Sequence, residues 1–76
     1  MMYPRIRDLR EDADLSQAAV AQLLRCTQQT YSNYERGRNH VPLEILADIA
    51  DIYHTSVDYI LGRTDQRKPY PPARRP

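Results

Sequence analysis

The sequence predicts an all-α fold, a compact bundle of five helices, and three observations lead to it. Apolar residues recur at intervals of three and four along most of the chain, as they do on the buried face of amphipathic helices. Residues that favour helix N-caps precede several of these stretches, and the only glycines, Gly37 and Gly62, each follow one. A chain of 76 residues suffices for one domain around a single core. We place this domain at residues 1–62.

The first helix is expected from residue 3 to residue 13. Pro4 suits its first position, where the missing N–H costs no hydrogen bond. The apolar side of this helix consists of Ile6, Leu9 and Ala13. Asp14 then marks a turn, because aspartate tolerates the left-handed backbone region better than most residues.

Two short helices follow, separated only by Arg25 and Cys26. The first of them is expected from residue 17 to residue 24, with Ser16 as its N-cap. Its inner face is expected to hold Ala18, Val20, Ala21, Leu23 and Leu24. Because the connection is so short, it should fix the crossing angle of the two helices.

The third helix is expected over residues 27–36, between an N-cap at Thr27 and a stop at Gly37. Tyr31 and Tyr34 turn inward in this helix, since they are three positions apart. Polar side chains should then point outward: Gln28, Gln29, Ser32 and Asn33. Amides and hydroxyls in such a row can hydrogen-bond to base edges in a DNA major groove.

A loop over residues 38–42 leads to a fourth helix, expected from residue 43 to residue 53 and opened by Pro42. Its apolar stripe consists of Leu43, Leu46, Ala47, Ile49, Ala50 and Tyr53. The opposite side carries Glu44, Asp48 and Asp51. This separation of apolar and acidic side chains is typical of a helix with one buried face.

Ser56 is expected to cap a short fifth helix over residues 57–61, which Gly62 ends. Residues 63–76 show no periodicity and are rich in proline and arginine, so we predict a disordered or polyproline-like tail there. The basic residues of this tail are Arg67, Lys68, Arg74 and Arg75. They could add non-specific affinity for nucleic acid or only keep the chain soluble.

Charge is unevenly distributed, although the formal net charge is only +1. Residues 11–14 are net −3 and residues 43–65 are net −4, whereas residues 15–42 are net +2 and the tail from residue 66 is net +4. The mildly basic second and third helices therefore permit binding of phosphate.

Other classes of protein receive no support from the sequence. The single cysteine, Cys26, excludes an internal disulfide, and no cluster of cysteine and histidine has metal-ligand spacing, so we expect neither a metal nor a cofactor. No paired catalytic groups or phosphate-binding glycine loop suggest an enzyme. No apolar run approaches the ~20 residues of a membrane span, and the N-terminus lacks the pattern of a signal peptide. We expect a cytoplasmic protein.

The stretch LSQAAVAQLLRCTQQTYSNYERGR, residues 15–38, resembles the helix-turn-helix unit of the XRE family, the Cro- and phage-repressor-like DNA-binding domains. IRDLRED before it and VPLEILADIADIYHTSVDYILG after it are similar to the family's first, fourth and fifth helices. The resemblance covers residues 5–62 and leaves out the tail. It implies a lambda-repressor-like DNA-binding fold without a cofactor.

The resemblance also assigns roles to individual residues, with the helix over residues 27–36 as the one that enters the major groove. Base reading falls on Gln28, Gln29 and Asn33, with Thr27 and Ser32 nearby. Contacts to DNA phosphates fall on Gln17, Arg38, Asn39 and Arg10. Arg10 and Glu35 match a buried or half-buried pair that ties the first helix to the end of the third.

Two departures and one open alternative accompany the resemblance. Arg25 stands where the tight turn usually has glycine, and Ala19 stands where the family often has an acid. Tyr59 and Ile60 match the end of the domain that often forms a twofold interface, but they could equally close the core of one copy.

The function predicted from these residues is sequence-specific binding of double-stranded DNA by a transcriptional regulator, a repressor. A homodimer would place two recognition helices about 34 Å apart on a near-palindromic operator. One alternative is an antitoxin that also binds DNA and neutralises a toxin partner. A second is a protein-interaction module of the same fold that does not bind DNA.

Overall fold

In the computed structural model, residues 3–71 and residue 73 are described, and their regular structure consists of five α-helices without a strand. The helices are α1 (Pro4–Asp12), α2 (Gln17–Leu23), α3 (Gln28–Arg36), α4 (Leu43–Ile52) and α5 (Val57–Leu61). The predicted all-α fold with five helices is confirmed. Among the described residues, no helix has the length and apolar character needed to cross a bilayer.

Side chains from all five helices form one core. The fully buried side chains are Ile6, Leu9, Val20, Tyr31, Ile49 and Ile60. Helices α2 and α3 pack against each other, and α1 contacts both α3 and α5, while α4 packs on α5. The helix-turn-helix unit α2–α3 is therefore supported from behind by α1.

The predicted caps are present at three helices. The hydroxyls of Ser16, Thr27 and Ser56 accept hydrogen bonds from backbone N–H groups three residues later. Gly37 and Gly62 end α3 and α5 in the left-handed region. Each of these residues helps to pair backbone groups that a helix end would otherwise leave without a partner.

The turn between α2 and α3 places Arg25 at φ 58°, in the left-handed region where glycine is usual. Asp14 also adopts a positive φ, 55°, as its residue type predicts. Cys26 follows Arg25 and donates its backbone N–H to the carbonyl of Ala21 at 3.0 Å. The short turn thus keeps α3 close to the end of α2.

Five residues predicted to face the core are exposed instead, and those predictions were wrong. These residues are Ala13, Ala18, Leu23, Leu43 and Ala47. Leu23 is 59% exposed and Leu43 is 72% exposed. The buried stripe of a surface helix spans little more than 100°, so a seven-residue helix such as α2 buries only part of its apolar set. Leu43 lies in the first turn of α4, before the helix reaches the core.

The described part of the tail contains no helix, but it returns to the helical domain. Arg5 in α1 donates to the carbonyl oxygens of Tyr59 at 2.8 Å and Thr64 at 2.6 Å, and it pairs with Asp65 at 2.6 Å. Tyr70 donates its hydroxyl to Asp58 at 2.9 Å. The domain boundary at residue 62 stays a prediction. Arg74 and Arg75, part of the predicted basic tail, lie outside the described residues.

Candidate nucleic-acid interface

The first turns of α3 present two glutamine side chains to solvent. Gln28 and Gln29 are both exposed, and Asn33, one turn further on, is half-buried. The Nε2 atom of Gln29 donates to Oδ1 of Asn33 at 3.2 Å, which aligns the two amides along one face of the helix. Three of the predicted base-reading residues thus lie on a continuous polar surface.

Ser32 was expected to point outward with these amides, but it is buried, with only 8% of its surface exposed. It lies at the edge of a concavity of about 360 Å³ between the start of α2 and the outer side of α3. The lining residues are Gln17, Gln28, Gln29, Ser32 and Arg36. Arg36 was not assigned a role from the sequence, although its position four residues after Ser32 puts both on one helix face.

Thr27 acts as the N-cap of α3. Its hydroxyl accepts from the backbone N–H of Thr30 at 3.1 Å and donates its proton to the Thr30 hydroxyl at 2.9 Å. The donor and one of the two acceptor lone pairs of this side chain are therefore used within the protein. The geometry supports a structural role for Thr27, and its predicted part in base reading stays a prediction.

Behind α3, the predicted partners Arg10 and Glu35 form an ion pair. Nε of Arg10 donates to one oxygen of Glu35 at 2.6 Å, and its Nη2 donates to the other at 3.2 Å. The Glu35 side chain is 3% exposed and that of Arg10 is 14% exposed. A two-pronged pair of this kind fixes geometry as well as adding energy.

Two further side chains donate to the same carboxylate. Tyr31 donates its hydroxyl to Glu35 at 2.6 Å, and Gln17 donates its Nε2 at 3.1 Å. Arg10 also donates Nη1 to the carbonyl of Leu15 at 2.9 Å. Glu35 therefore joins α1, the start of α2 and the interior of α3 in one hydrogen-bonded cluster, called the Glu35 cluster below.

The protonation of Glu35 is set by two opposing effects. Burial raises the pKa of Glu35, but the hydrogen bonds from Arg10, Tyr31 and Gln17 outweigh burial and leave its pKa below the ordinary value. Burial, together with the bond to Glu35, raises the pKa of Tyr31 well above its usual range. At neutral pH the cluster therefore holds a carboxylate, a guanidinium and a neutral phenol.

Arg10 and Gln17 were also predicted to contact DNA phosphates. The structure shows different hydrogen-bond partners for the two side chains. All three nitrogens of the Arg10 guanidinium donate to partners inside the protein, which directs the group toward the Glu35 cluster. Gln17 is half-buried and lines the concavity at α3, and its amide nitrogen donates one hydrogen bond to Glu35. An amide nitrogen carries a second N–H, so the predicted phosphate contact of Gln17 stays a prediction.

The loop after α3 holds the other two predicted phosphate contacts. Arg38 and Asn39 are both exposed. Their backbone N–H groups donate to the carbonyl of Asn33, at 2.9 Å for Arg38 and 3.4 Å for Asn39. The loop backbone is therefore tied to the end of α3, and the side chains are free to face solvent.

The structure distinguishes the two residues that were expected either at a dimer contact or in the core. Ile60 is only 1% exposed, because α5 turns it into the core of its own domain, which agrees with the second alternative. Tyr59 is half-buried, and the guanidinium of Arg5 stacks on its ring at 4.1 Å from the ring centre. Tyr59 keeps an accessible edge, and its part in a dimer stays a prediction.

Cys26 packs partly buried against the core, next to the turn. Burial raises the pKa of its thiol, which works against reactivity. Over residues 3–71 and residue 73, no three side chains of histidine, cysteine, aspartate or glutamate are grouped as metal ligands.

Comparisons with known proteins agree with this geometry. Residues 5–59 match a family described as helix-turn-helix domain. Three relatives from Bacillus subtilis strain 168 are similar to the chain. The HTH-type transcriptional regulator AnsR is 37% identical over 73 residues, which are 96% of this chain and 63% of the relative.

The other two relatives are similarly related. The uncharacterized HTH-type transcriptional regulator YobD is 36% identical over 69 residues, covering 91% of this chain and 62% of the relative. The HTH-type transcriptional regulator ImmR is 30% identical over 64 residues, covering 84% of this chain and 50% of the relative. The chain thus spans between half and two thirds of the length of these regulators. With the matched segment running from α1 into α5, the chain belongs to the helix-turn-helix domain family, as its resemblance to the XRE proteins predicts.

Proposed function

We propose that this protein is a transcriptional regulator that binds double-stranded DNA in a sequence-specific manner and represses transcription. The observation that carries the proposal is the exposed amide pair Gln28–Gln29 at the start of a capped helix. That helix is held from behind by the Glu35 cluster, so the backbone that carries the amides is fixed before DNA binds. A preorganised element loses less entropy on binding than one that must be ordered.

Base reading would rest on the glutamine amides. A glutamine can pair with adenine through both its oxygen and its nitrogen, which is worth about 1–3 kcal/mol of discrimination at that base pair. The hydrogen bond from Gln29 to Asn33 leaves the Gln29 oxygen as an acceptor and the Asn33 nitrogen as a donor. These two groups together match the edge of a base pair that offers both a donor and an acceptor.

Phosphate contacts would position the helix on the duplex. Gln17 has one amide N–H left after its bond to Glu35, and the exposed Arg38 and Asn39 lie in the loop that follows α3. Contacts to phosphates fix the register of a recognition helix without reading sequence. Arg36, on the same face as Ser32, adds a positive charge to this surface.

A homodimer on a near-palindromic operator completes the proposal. Two copies would place their α3 helices in successive major grooves, about 34 Å apart. The names of the three relatives describe transcriptional regulators, which supports a regulator over an antitoxin, a protein-interaction module or an enzyme. A role on DNA also supports the predicted cytoplasmic location.

The test is selection of binding sites from random duplexes at a stated salt concentration, with the purified full chain. The proposal expects an enriched motif with two related half-sites. If no sequence is enriched even at low salt, specific DNA binding is wrong, and capture of a protein partner instead would favour the antitoxin or the interaction module.

A further inference from the structure

A groove of about 430 Å³ lies between α4, α5 and the tail, away from the concavity at α3. Its lining includes the apolar Ala47, Ala50 and Val57 and the acidic Asp51 and Asp58. Pro69 and Tyr70 line the same groove from the tail side, with Tyr70 60% exposed. The tail therefore forms one wall of the groove.

Polar contacts hold this segment at several points. The hydroxyl of Tyr70 donates to Asp58 at 2.9 Å, and the guanidinium of Arg67 lies 3.7 Å from a carboxylate oxygen of Asp12. Nearer the start of the tail, Arg5 of α1 donates to the carbonyl of Thr64 and pairs with Asp65. These contacts lie on both sides of Arg67 and Lys68, so the path of both residues over the domain is defined.

Charge favours this arrangement as well. The tail from residue 66 is net +4, and residues 43–65, which supply most of the groove, are net −4. The other end of the segment meets residues 11–14, which are net −3. Opposite charges near a surface attract within roughly a Debye length at physiological salt.

The position of Arg67 is the link to DNA. Its partner Asp12 ends α1, and Gln17, a proposed phosphate contact, begins α2 only five residues later. Arg10, two residues before Asp12, and Gln17 both donate to the carboxylate of Glu35, so the end of α1 lies next to the start of α2. Arg67 therefore lies beside the proposed DNA surface, where it offsets the acidic turn that would repel phosphates.

We propose that the α4–α5 groove binds Pro69 and Tyr70 of the same chain and thereby holds Arg67 and Lys68 as a second phosphate-binding element beside the helix-turn-helix unit. Tyr70 and Asp58 are positioning residues in this arrangement, and Arg67 and Lys68 contact the DNA backbone. The proposal rests on the proposed function, because it adds phosphate contacts to the same DNA complex.

The experiment measures the affinity of the full chain for a random duplex between 50 and 200 mM salt, with four variants. The double variant R67A/K68A should reduce the magnitude of the salt slope by about two, since each phosphate contact contributes about 0.9. Tyr70→Phe, which keeps the ring and loses the bond to Asp58, should bind about two- to fivefold more weakly. Asp58→Ala, which removes the acceptor of this bond, should also bind more weakly, although it removes a negative charge.

Asp48→Ala is the matched control, because Asp48 is an exposed acid of α4 that does not line the groove. It should leave affinity unchanged or raise it slightly by simple electrostatics. An unchanged salt slope in R67A/K68A overturns the proposal. So does an Asp58→Ala or Tyr70→Phe variant that binds as tightly as Asp48→Ala, since the groove would then have no influence on the cations.

The outcomes also separate this proposal from the proposed function. Site selection that yields no motif, together with a slope reduced by two in R67A/K68A, would end base reading and leave the second phosphate-binding element intact. A clear motif with an unchanged salt slope in R67A/K68A would support base reading and overturn the second phosphate-binding element. Proton NMR of the free chain should show nuclear Overhauser effects between the Tyr70 ring and the methyl groups of Ala47 or Val57. Random-coil chemical shifts for Tyr70 would contradict docking.

Discussion

At the scale of single residues, Glu35 connects the stability of the domain to its proposed interface. Its carboxylate accepts hydrogen bonds from Arg10, Gln17 and Tyr31. Gln17 is also a proposed phosphate contact, so a change in Glu35 would alter an amide that we propose to face DNA. Removing one partner from a buried ion pair leaves an uncompensated charge, which costs far more than the pair contributes as a whole.

The pKa of Glu35 predicts how stability depends on pH. Because this pKa is lower in the folded chain than in the unfolded chain, ionised Glu35 stabilises the fold above its unfolded pKa of about 4.3. This stabilisation should be lost as the pH falls through the lower, folded pKa. Urea unfolding at pH 7 and at pH 3 should show the loss in the unaltered protein.

Glu35→Gln tests the same residue by substitution. We expect it to lower the free energy of unfolding at pH 7 by roughly 3 kcal/mol. It should also make this free energy depend less steeply on pH below pH 5. Glu44→Gln, at an exposed acid of α4, is the control and should do neither. A pH dependence that is the same in both variants would show that Glu35 is not its source.

Gln28→Ala is predicted to relax base preference at one position of each half-site, at a cost of about 1–3 kcal/mol on the preferred sequence. Gln22→Ala removes an exposed amide from α2 and should leave preference unchanged. Binding-site selection with both variants measures the difference. Equal weakening on all sequences would move Gln28 from base reading to backbone contact.

Arg38→Ala is expected to behave in the contrasting way. A phosphate contact carries no sequence information, so its loss should weaken binding to every duplex and reduce the salt slope by about one. Titrations of a selected and a random duplex at several salt concentrations check both effects. A loss confined to the selected duplex would contradict the assignment.

At the scale of elements, the caps determine where α3 begins and therefore where its amides lie. The Thr27 hydroxyl is committed to the backbone N–H and the hydroxyl of Thr30. This separates Thr27 from Gln28 and Gln29 in function, although the three are adjacent in the chain. A helix that began one residue later would rotate its outer face by about 100° relative to the cap.

Thr27→Ala should therefore lower stability by about 1 kcal/mol and leave base preference intact. Chemical unfolding gives the first quantity and site selection the second. Thr27→Ser is the control, because it retains the capping oxygen. A change of preferred base in Thr27→Ala, with stability unchanged, would return Thr27 to the base-reading set.

The helices and their caps could be predicted from the sequence because the signals are local. Hydroxyl residues at the starts of α2, α3 and α5 and glycines after α3 and α5 act within four residues, and the helix ends fell within a residue or so of the prediction. Burial was harder to predict. The exposure of Leu23 and Leu43 depends on which neighbouring helix covers each position. The local amino-acid sequence does not contain that information.

The candidate site was predictable to the same degree. The resemblance located the exposed amides and brought Arg10 and Glu35 to one place, but it did not indicate that Gln17 and Tyr31 share the carboxylate. Ser32 was misjudged because it lies where the outer face of α3 passes into the core. The contacts of the tail could not be predicted, since prolines and isolated charges give no periodic signal.

At the scale of the whole molecule, the proposed dimer sets a geometric condition on the operator. Two rigid recognition helices can engage both half-sites only when these are about one helical turn apart on the same side of the duplex. Inserting five base pairs between the half-sites turns one of them to the opposite side. We expect the complex with two bound copies to disappear from gel shifts, while binding of one copy to one half-site remains.

Central base substitutions that keep the spacing are the control for this insertion. They change the sequence between the half-sites without rotating them, so the complex with two copies should persist. Binding of two copies that is equally strong with and without the insertion would show that the copies bind independently.

The clamp at Arg5 brings the two ends of the helical domain together. One guanidinium reaches the carbonyl oxygens of Tyr59 and Thr64, residues 54 and 59 positions away in the chain. The helical domain therefore forms a nearly closed ring, and a short linker could join these two ends of the domain. Opening such a ring at the exposed loop residues 38–40 would give a circularly permuted protein with the same core, because compact domains with adjacent termini tolerate new ends in exposed loops.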